Sequence, residues 1–282
     1  MFPIPEHIPF TVAAGTLCSY GTAMMALSRS ACLKTGETVL VTAAAGATGL
    51  AAVDIALNVF GAEVIGVCGG EDKVALLKQR GVKHIIDYYT AKIPDRVKAI
   101  TNGKGVNVVV DHVGGDIFMD CLKSTAFEGR IVTVGYASGH IPKLPINHLL
   151  LKSCSVHGVW WGDYSTRQHP AFDESIVNVM TALAQDRLHP YVGKIFPLEE
   201  CGAANLQLNI SVRNGQLEHV NQNFDDATHL IDLDIDAAVS KFTERLLIIG
   251  QSMKNVIAGK EKSQLCFDNK CKETSVSLLA DI

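Results

Sequence analysis

The chain has 282 residues, of which 48% are hydrophobic and 19% charged, a composition typical of a globular protein with one large domain or two ordinary ones. The formal net charge of −4 provides no basic field that would hold nucleic acid or an anionic membrane surface. No apolar run reaches the roughly 18–20 residues of a membrane span, and the Pro-rich start lacks the basic and apolar regions of a signal peptide. We therefore expect no nucleic-acid partner, no transmembrane segment and no secretion signal.

The cysteines and histidines point to a reducing compartment without a metal site. None of the eight cysteines forms a C-x-x-C pair, and none of the ten histidines sits at ligand spacing from a cysteine or another histidine. We therefore expect reduced, mostly buried cysteines and no bound metal. Without a predicted secretion signal, such cysteines indicate the cytoplasm or the mitochondrial matrix.

From residue 37 the sequence alternates short β-branched runs with segments whose apolar residues recur at helical spacing. Predicted strands cover residues 38–43, 64–68, 84–88, 106–111, 129–135 and 155–161. Predicted helices cover residues 50–60, 73–79, 95–101, 118–126, 148–152 and 171–187. Because strands that alternate with helices form βαβ crossovers, the sequence predicts an α/β fold with a six-stranded, doubly wound parallel sheet of the Rossmann type.

The strand–helix rhythm stops after about residue 208, and residues 209–282 form a divergent tail that we expect to be helical in part and disordered in part. One amphipathic helix is predicted over about residues 236–258, because apolar residues recur there at alternate spacings of three and four. These residues are Val239, Phe242, Leu246, Ile249, Met253 and Val256. Two interpretations remain open, since the helix can dock on the rest of the chain or pair with a partner helix as a coiled coil.

A small-residue turn between the first predicted strand and the next helix is typical of a dinucleotide site. In such a turn the N-terminal amides of the helix face the pyrophosphate, and glycines allow the backbone to approach it. The predicted phosphate-binding residues are Ala45, Gly46, Ala47, Thr48 and Gly49. Ala44 stands where the usual fingerprint has its first glycine, and the alternative interpretation is a purely structural turn.

The residues at the end of the second strand determine whether such a fold prefers NADH or NADPH. Folds that prefer NAD place an acid there, and its charge would repel a 2′-phosphate. Here the strand is followed by Gly69, while Lys73 and Tyr88 are positioned to reach a 2′-phosphate. These residues predict NADPH rather than NADH as the cofactor. Glu71 opposes that prediction, and Lys73 could equally be a solvated surface lysine.

The nicotinamide half of the cofactor is expected beyond the fourth and fifth strands, where backbone groups would contact it. The candidate residues there are Val113, Gly114, Gly135, Tyr136 and Ala137. Ordinary loop glycines are the alternative interpretation of both segments. His112 is more typical of a structural histidine than of an acid or base, and Asp111 of a cap for nearby backbone amides. The sequence assigns no catalytic residue.

Several segments carry a family resemblance. Residues 38–50, the segment 110–115, Glu128-Gly129-Arg130-Ile131-Val132 and Gly158-Val159-Trp160-Trp161-Gly162 resemble the medium-chain dehydrogenase/reductase superfamily, in particular its zinc-free quinone oxidoreductase branch. The resemblance covers about residues 3–206. It implies NADPH as cofactor, with Lys73 and Tyr88 matching the family's 2′-phosphate contacts. It also implies metal-free hydride transfer to quinones or conjugated carbonyls, and a homodimer that pairs sixth strands near residues 155–161.

Two departures from the family put catalysis in doubt. Members begin with a GroES-like catalytic domain, whereas residues 1–36 resemble only the segment that enters the cofactor domain, here residues 37–208. The second departure is the unrelated tail. We therefore expect either a quinone or enone reductase impaired by truncation, or a non-catalytic NADPH-binding and dimerisation module. Tyr136 and the pair Trp160 and Trp161 are candidates for the acceptor cleft, with dimer-interface packing as the alternative for the tryptophans.

Overall fold

The computed structural model describes residues 4–195, 197 and 200. Residues up to Ile195 belong to one compact unit, Met1–Ile195, and a second unit covers Phe196–Ile282. The predicted tail over 209–282, with its amphipathic helix over 236–258, lies outside the described residues. The boundary at residue 208 therefore stays a prediction.

The sheet has six strands, and all its neighbouring pairs are parallel. The strands are β1 (Thr38–Val41), β2 (Glu63–Cys68), β3 (His84–Asp87), β4 (Val106–Asp111), β5 (Thr125–Thr133) and β6 (Ser155–Gly158). Their spatial order is β3-β2-β1-β4-β5-β6, so the chain order reverses between β1 and β4. This order confirms the predicted Rossmann-type fold, and a reversal of this kind is where open α/β sheets bind ligands.

Helices cover both faces of the sheet. They are α1 (Phe10–Met24), α2 (Ala47–Asn58), α3 (Glu71–Gln79), α4 (Ile93–Ile100), α5 (Gly115–Ser124), α6 (Asn147–Lys152), α7 (Trp161–Thr166) and α8 (Pro170–Ala184). In β1, Val39 and Val41 pack into the core under α1, α2 and α8, whereas Leu40 packs into the core under α4 and α5. Both cores need apolar side chains, which is why the strands are continuous β-branched runs rather than alternating ones.

Element boundaries differ from the predicted ones where backbone turns intervene. Strand β1 ends at Val41, two residues early, because Ala43 adopts a left-handed conformation with φ of 45° that no strand accommodates. Strand β6 ends at Gly158, and Trp161 begins α7, a helix that the strand prediction over 155–161 missed. A π-helical stretch, Met25–Ser30, continues α1 and was not predicted.

One helical stretch among the described residues, Phe10–Ser30, is long and apolar enough to cross a membrane by length and composition alone. It has 21 residues, and its most apolar 18-residue window has a mean hydropathy of 1.3, whereas the sequence alone predicts no apolar run of this length. Half of that window is buried, with Tyr20, Ala23 and Met24 in the core beside α2 and α8. Such burial is usual for the core helix of a globular unit, so the stretch is weak evidence for a membrane span.

A half-buried ion pair joins Glu37, the residue before β1, to Arg130 within β5. The guanidinium of Arg130 donates to both carboxylate oxygens of Glu37, at 2.9 and 2.6 Å, and also to the carbonyl oxygens of Ala31 and Asn107. The Lys34 amide donates to the same carboxylate. Burial alone would raise the pKa of Glu37, but these hydrogen bonds and the charge of Arg130 lower it below its ordinary value.

This ion pair predicts a pH-dependent contribution to stability. Because the pKa of Glu37 is lowered in the folded state, the contribution is complete above the unfolded-state pKa of about 4.3 and is lost as pH falls through the folded-state pKa. We expect Glu37→Gln to reduce the free energy of unfolding by about 1.5 kcal/mol at pH 7, and the difference from the wild type to shrink below about pH 4. Urea unfolding at several pH values measures it. A difference that stays constant down to pH 3.5 would contradict the sign of the pKa shift.

Candidate functional site

The turn after β1 leads directly into α2 and leaves the N-terminus of that helix open. Within the turn, the amide of Gly46 donates to the carbonyl of Ala43 at 2.8 Å, and the first intrahelical hydrogen bond runs from the amide of Leu50 to Gly46 at 2.7 Å. Gly46 and Ala47 are exposed. Since the first amides of a helix have no acceptor within it, this exposed end is a ready site for an anion.

Glycine is required at the end of this turn by close contact with the backbone. A Cβ atom on Gly49 would lie 2.2 Å from the carbonyl oxygen of Ala43 and 2.8 Å from the Cα of Ala44. At Gly46 the same test gives 3.2 Å to the oxygen of Ala43, a tight but smaller conflict. Ala44, which replaces the first fingerprint glycine, is fully buried. The residue before it, Ala43, has a positive φ of 45° in this turn.

Gly69 and Tyr88 meet at the carboxyl ends of β2 and β3, and Lys73 lies on α3, the helix that follows β2. A Cβ atom on Gly69 would lie 2.6 Å from Cζ of Tyr88, so only glycine allows the tyrosine ring to lie across the end of β2. Burial first, and then the neighbouring Tyr89, raise the pKa of Tyr88 to about 12. Its phenol is therefore a neutral hydrogen-bond donor at physiological pH. Lys73 and Glu71 are both exposed on the first turns of α3.

The structure adds one acidic residue to this corner that the sequence interpretation missed. Asp87 ends β3 and pairs in register with Cys68, the last residue of β2. Its carboxylate accepts hydrogen bonds from the amides of Gly70, at 3.3 Å, and Tyr89, at 3.0 Å. The acid that the end of β2 lacks is therefore supplied by the end of the neighbouring strand. The available signal was the position of Asp87 near the end of the predicted strand over residues 84–88, although the sequence does not show that this strand lies beside β2.

Asp111 holds the loop after β4 in place. It is fully buried, and its Oδ1 accepts from the hydroxyl of Thr42 at 2.7 Å and from the amide of Val113 at 3.1 Å. Its Oδ2 accepts from the amide of Gly114 at 3.0 Å. The interpretation of Asp111 as a cap for nearby backbone amides is confirmed.

His112 is held by the end of β1. Its amide donates to the Thr42 hydroxyl at 2.8 Å, and its Nδ1 lies 3.0 Å from the Thr42 carbonyl oxygen, so Nδ1 carries the proton. Its Nε2 is shielded and has no hydrogen-bond partner among the described residues. Burial lowers the pKa of His112, which makes it a neutral, inward-held imidazole. This environment agrees with the structural interpretation and argues against a role as general acid.

The two loops expected at the nicotinamide pack against each other. The amide of Ala137 donates to the carbonyl of His112, and that of Ser138 to the carbonyl of Val113, each at 3.0 Å. Gly114 has a φ of 72°, and a Cβ there would lie 2.8 Å from the ring of Tyr136. Gly114 is therefore required by the packing of the loops, whereas Gly135 meets only an ordinary contact of 3.7 Å. Tyr136 stays 42% exposed above them.

The two tryptophans have separate environments. The ring of Trp161 lies against Gly21 of α1, where a Cβ would be 2.6 Å from the ring, and its Nε1 donates to the hydroxyl of Ser175 at 2.9 Å. Trp161 also lies 4.6 Å from Phe172, centroid to centroid. Packing within the chain accounts for Trp161. Trp160 is 68% exposed, and both roles proposed for it stay open.

All the predicted cofactor residues lie beyond the carboxyl ends of strands β1 to β5, so they lie along one end of the sheet. The strand order reverses between β1 and β4, in the middle of this row. The phosphate turn follows β1, the Lys73 and Tyr88 corner follows β2 and β3, and the two glycine loops follow β4 and β5. This arrangement defines the class of dinucleotide-binding Rossmann domains. Within the described part of the chain, no group of three or more His, Cys, Asp or Glu side chains is placed to hold a metal ion.

Comparisons with known proteins show which proteins the chain is similar to. Residues 47–177 match the family model described as zinc-binding dehydrogenase. Quinone oxidoreductase-like protein 2 of Bos taurus is 42% identical over 217 residues, which cover 77% of this chain and 62% of that protein. Its counterpart in Rattus norvegicus is 44% identical over 208 residues, with coverages of 74% and 59%. The chain thus spans about 60% of the length of these curated relatives.

Solved structures agree with these relatives. A mycobacterial quinone oxidoreductase superposes with a TM-score of 0.68 at 29% identity, covering 74% of this chain and 64% of that one. A mycobacterial protein in complex with NADPH gives a TM-score of 0.67 at 27% identity, with coverages of 76% and 64%. Over about three quarters of its length, the chain is similar to the medium-chain dehydrogenase/reductase superfamily. Within that superfamily it is similar to quinone oxidoreductases and to quinone oxidoreductase-like protein 2.

Proposed function

We propose that the chain is an oxidoreductase module that binds NADPH and reduces quinones or conjugated carbonyls. The observation that carries the proposal is the open N-terminus of α2 on the phosphate turn, at the edge where the strand order reverses. The similarity to these proteins supports a nicotinamide cofactor, since one of the similar solved structures is in complex with NADPH. The reaction balances as NADPH, a proton and a quinone giving NADP⁺ and a hydroquinone.

The proposed cofactor contacts divide among three groups of residues. The turn formed by Ala45, Gly46, Ala47, Thr48 and Gly49 would receive the pyrophosphate through the first amides of α2, while the amide of Gly46 stays bonded to the Ala43 carbonyl. The ammonium group of Lys73 and the neutral phenol of Tyr88 would receive the 2′-phosphate, beside Gly69. The loops that carry Val113, Gly114, Gly135, Tyr136 and Ala137 would support the nicotinamide and its ribose.

Catalysis at such a site depends on positioning. When bound, the reduced nicotinamide supplies a hydride to the acceptor, and placing the two in contact accounts for much of the rate. His112 is neutral and its ring is directed inward, so the proton that completes the reduction would come from solvent. The exposed ring of Tyr136 stands on the loop at this end of the sheet and would contact the acceptor.

We also propose that the chain forms a homodimer through its sixth strand, near residues 155–161. In the described part of the chain β6 pairs only with β5, so it is the edge strand of the sheet. An open strand edge favours addition of another strand. Apolar side chains are exposed just before and after β6, namely Ile146, Leu150, Leu151 and Trp160. Sedimentation of the purified chain would measure its mass, and a monomer at micromolar concentration would contradict the proposal.

Calorimetric titration with NADPH and, separately, NADH tests the cofactor assignment. We expect micromolar affinity for NADPH and affinity at least about tenfold lower for NADH, because only NADPH offers a 2′-phosphate to Lys73. Lys73→Ala should reduce NADPH affinity about tenfold and change NADH affinity less than about twofold. Lys78→Ala, on the last turn of the same helix, is the matched control and should change neither. Equal losses for both nucleotides, or an equal effect of the control, would contradict the role of Lys73.

Turnover separates the enzyme from a binding module. Oxidation of NADPH, followed at its nicotinamide absorbance, should require an added quinone and should scale with chain concentration. Binding without any quinone-dependent oxidation would favour the alternative of a non-catalytic NADPH-binding and dimerisation module. If the chain bound neither nucleotide, both the reductase proposal and the alternative of an NADPH-binding module would be wrong.

A further inference from the structure

The carboxylate of Asp87 lies at the carboxyl ends of β2 and β3, beside the residues assigned to the 2′-phosphate. We call this place the adenosine corner. Its Oδ2 accepts from the amide of Gly70, which is the residue that immediately precedes α3. Amides at this end of a helix are the groups that bind phosphate oxygens. Asp87 therefore already places a negative charge on the donor at the N-terminus of α3.

Lys73 lies at the same end of the sheet as Asp87, because it is on α3 and follows Gly70 by three residues. Burial first, and then the charge of Asp87, raise the pKa of the Cys68 thiol to about 11, while the charge of Lys73 acts in the opposite direction. Both charges therefore act at the end of β2, where the adenosine ribose of a cofactor would lie. A 2′-phosphate bound there would be attracted by Lys73 and repelled by Asp87.

Resting on the proposed function, we propose that Asp87 is the residue that limits selectivity for NADPH over NADH. Its carboxylate competes with a 2′-phosphate for the Gly70 amide and opposes the phosphate's charge. The 2′-hydroxyl group of NADH carries no charge and can donate to the same carboxylate, so Asp87 does not weaken the binding of NADH. Lys73 and Tyr88 therefore favour binding of NADPH, whereas Asp87 disfavours it.

Asp87→Asn is the direct test, with calorimetric titration of NADPH and NADH as the measurement. Removing the negative charge of Asp87 is expected to raise NADPH affinity about fivefold, while NADH affinity stays equal or falls. Asp87→Ser is the second variant, since its hydroxyl can accept one of the two amide hydrogen bonds and so preserves part of the corner if the amide variant fails to fold. Glu63→Gln is the matched control, because Glu63 is an exposed acid at the amino end of β2, the opposite end of that strand from Cys68. It should change the NADPH to NADH ratio less than about twofold.

The outcomes separate the two proposals. A selective gain in NADPH affinity in either Asp87 variant, absent from Glu63→Gln, supports the inference. If the wild type binds NADPH but neither Asp87 variant changes the ratio, or Glu63→Gln changes it equally, then Asp87 is only a cap for two amides and the inference is wrong while the proposed function stands. If the wild type and the variants bind neither nucleotide although they unfold cooperatively, the proposed function falls, and the role of Asp87 falls with it.

Discussion

Replacing Gly49 with alanine is expected to destabilise the chain by about 2–3 kcal/mol and to reduce NADPH affinity at least about tenfold. The new Cβ would lie 2.2 Å from the carbonyl oxygen of Ala43 and 2.8 Å from the Cα of Ala44. Both atoms belong to the backbone, so no side chain can rotate away and the whole turn has to move relative to α2. The amides proposed to hold the pyrophosphate move with it.

Gly15→Ala is the matched control for that variant. Gly15 lies in the middle of α1, and a Cβ there meets nothing within 4 Å. Because alanine is the better helix former, this change should stabilise the chain by up to about 1 kcal/mol and leave NADPH binding unchanged. Urea unfolding and calorimetry provide both readouts. If Gly49→Ala proved as harmless as Gly15→Ala, the turn would not be packed as tightly as the structure describes.

The second large effect is expected at Asp54, a buried carboxylate in α2 that joins several elements. It accepts from the hydroxyl of Tyr20 at 2.6 Å, the side chain of Asn58 at 2.7 Å and the amide of His189 at 2.7 Å. Arg80, at the end of α3, lies 3.9 Å away and donates to the carbonyl of His189. Asp54 therefore ties α1, α3 and the segment after α8 to α2.

Asp54→Ala should lower the free energy of unfolding by about 3 kcal/mol and the melting temperature by about 10 °C. The cost arises because the Tyr20 hydroxyl and the His189 amide lose their acceptor in a buried place. Asp54→Asn keeps one acceptor oxygen and should lose less. Asp120→Ala is the control, since its partner Lys123 is on the surface and such pairs contribute little. A loss at Asp54 no larger than that at Asp120 would show that these hydrogen bonds do not hold the helices together.

The order of strands and helices could be read from the sequence, because period-2 and period-3.6 patterns are local. The β-branched runs around Val39 and Val109 predict buried strands, and the glycines at 46 and 49 predict the phosphate turn from their place between strand and helix. The prediction of Asp111 as a cap rests on the same kind of local signal, since its partners Val113 and Gly114 are the next residues along the chain.

Tertiary structure alone decided which distant residues meet. Asp87 reaches the adenosine corner because the sheet order sets β3 beside β2, and the ends of neighbouring parallel strands lie together. Trp161 packs on Gly21, 140 positions earlier in the chain, and Asp54 binds His189 across 135 positions. Such contacts depend on how the crossovers bring the elements together, and no periodicity within a short window encodes that arrangement. The sequence by itself therefore determined the fold class and the phosphate turn, whereas the charge balance of the cofactor corner and the packing of α1 and α8 were decided by the tertiary structure.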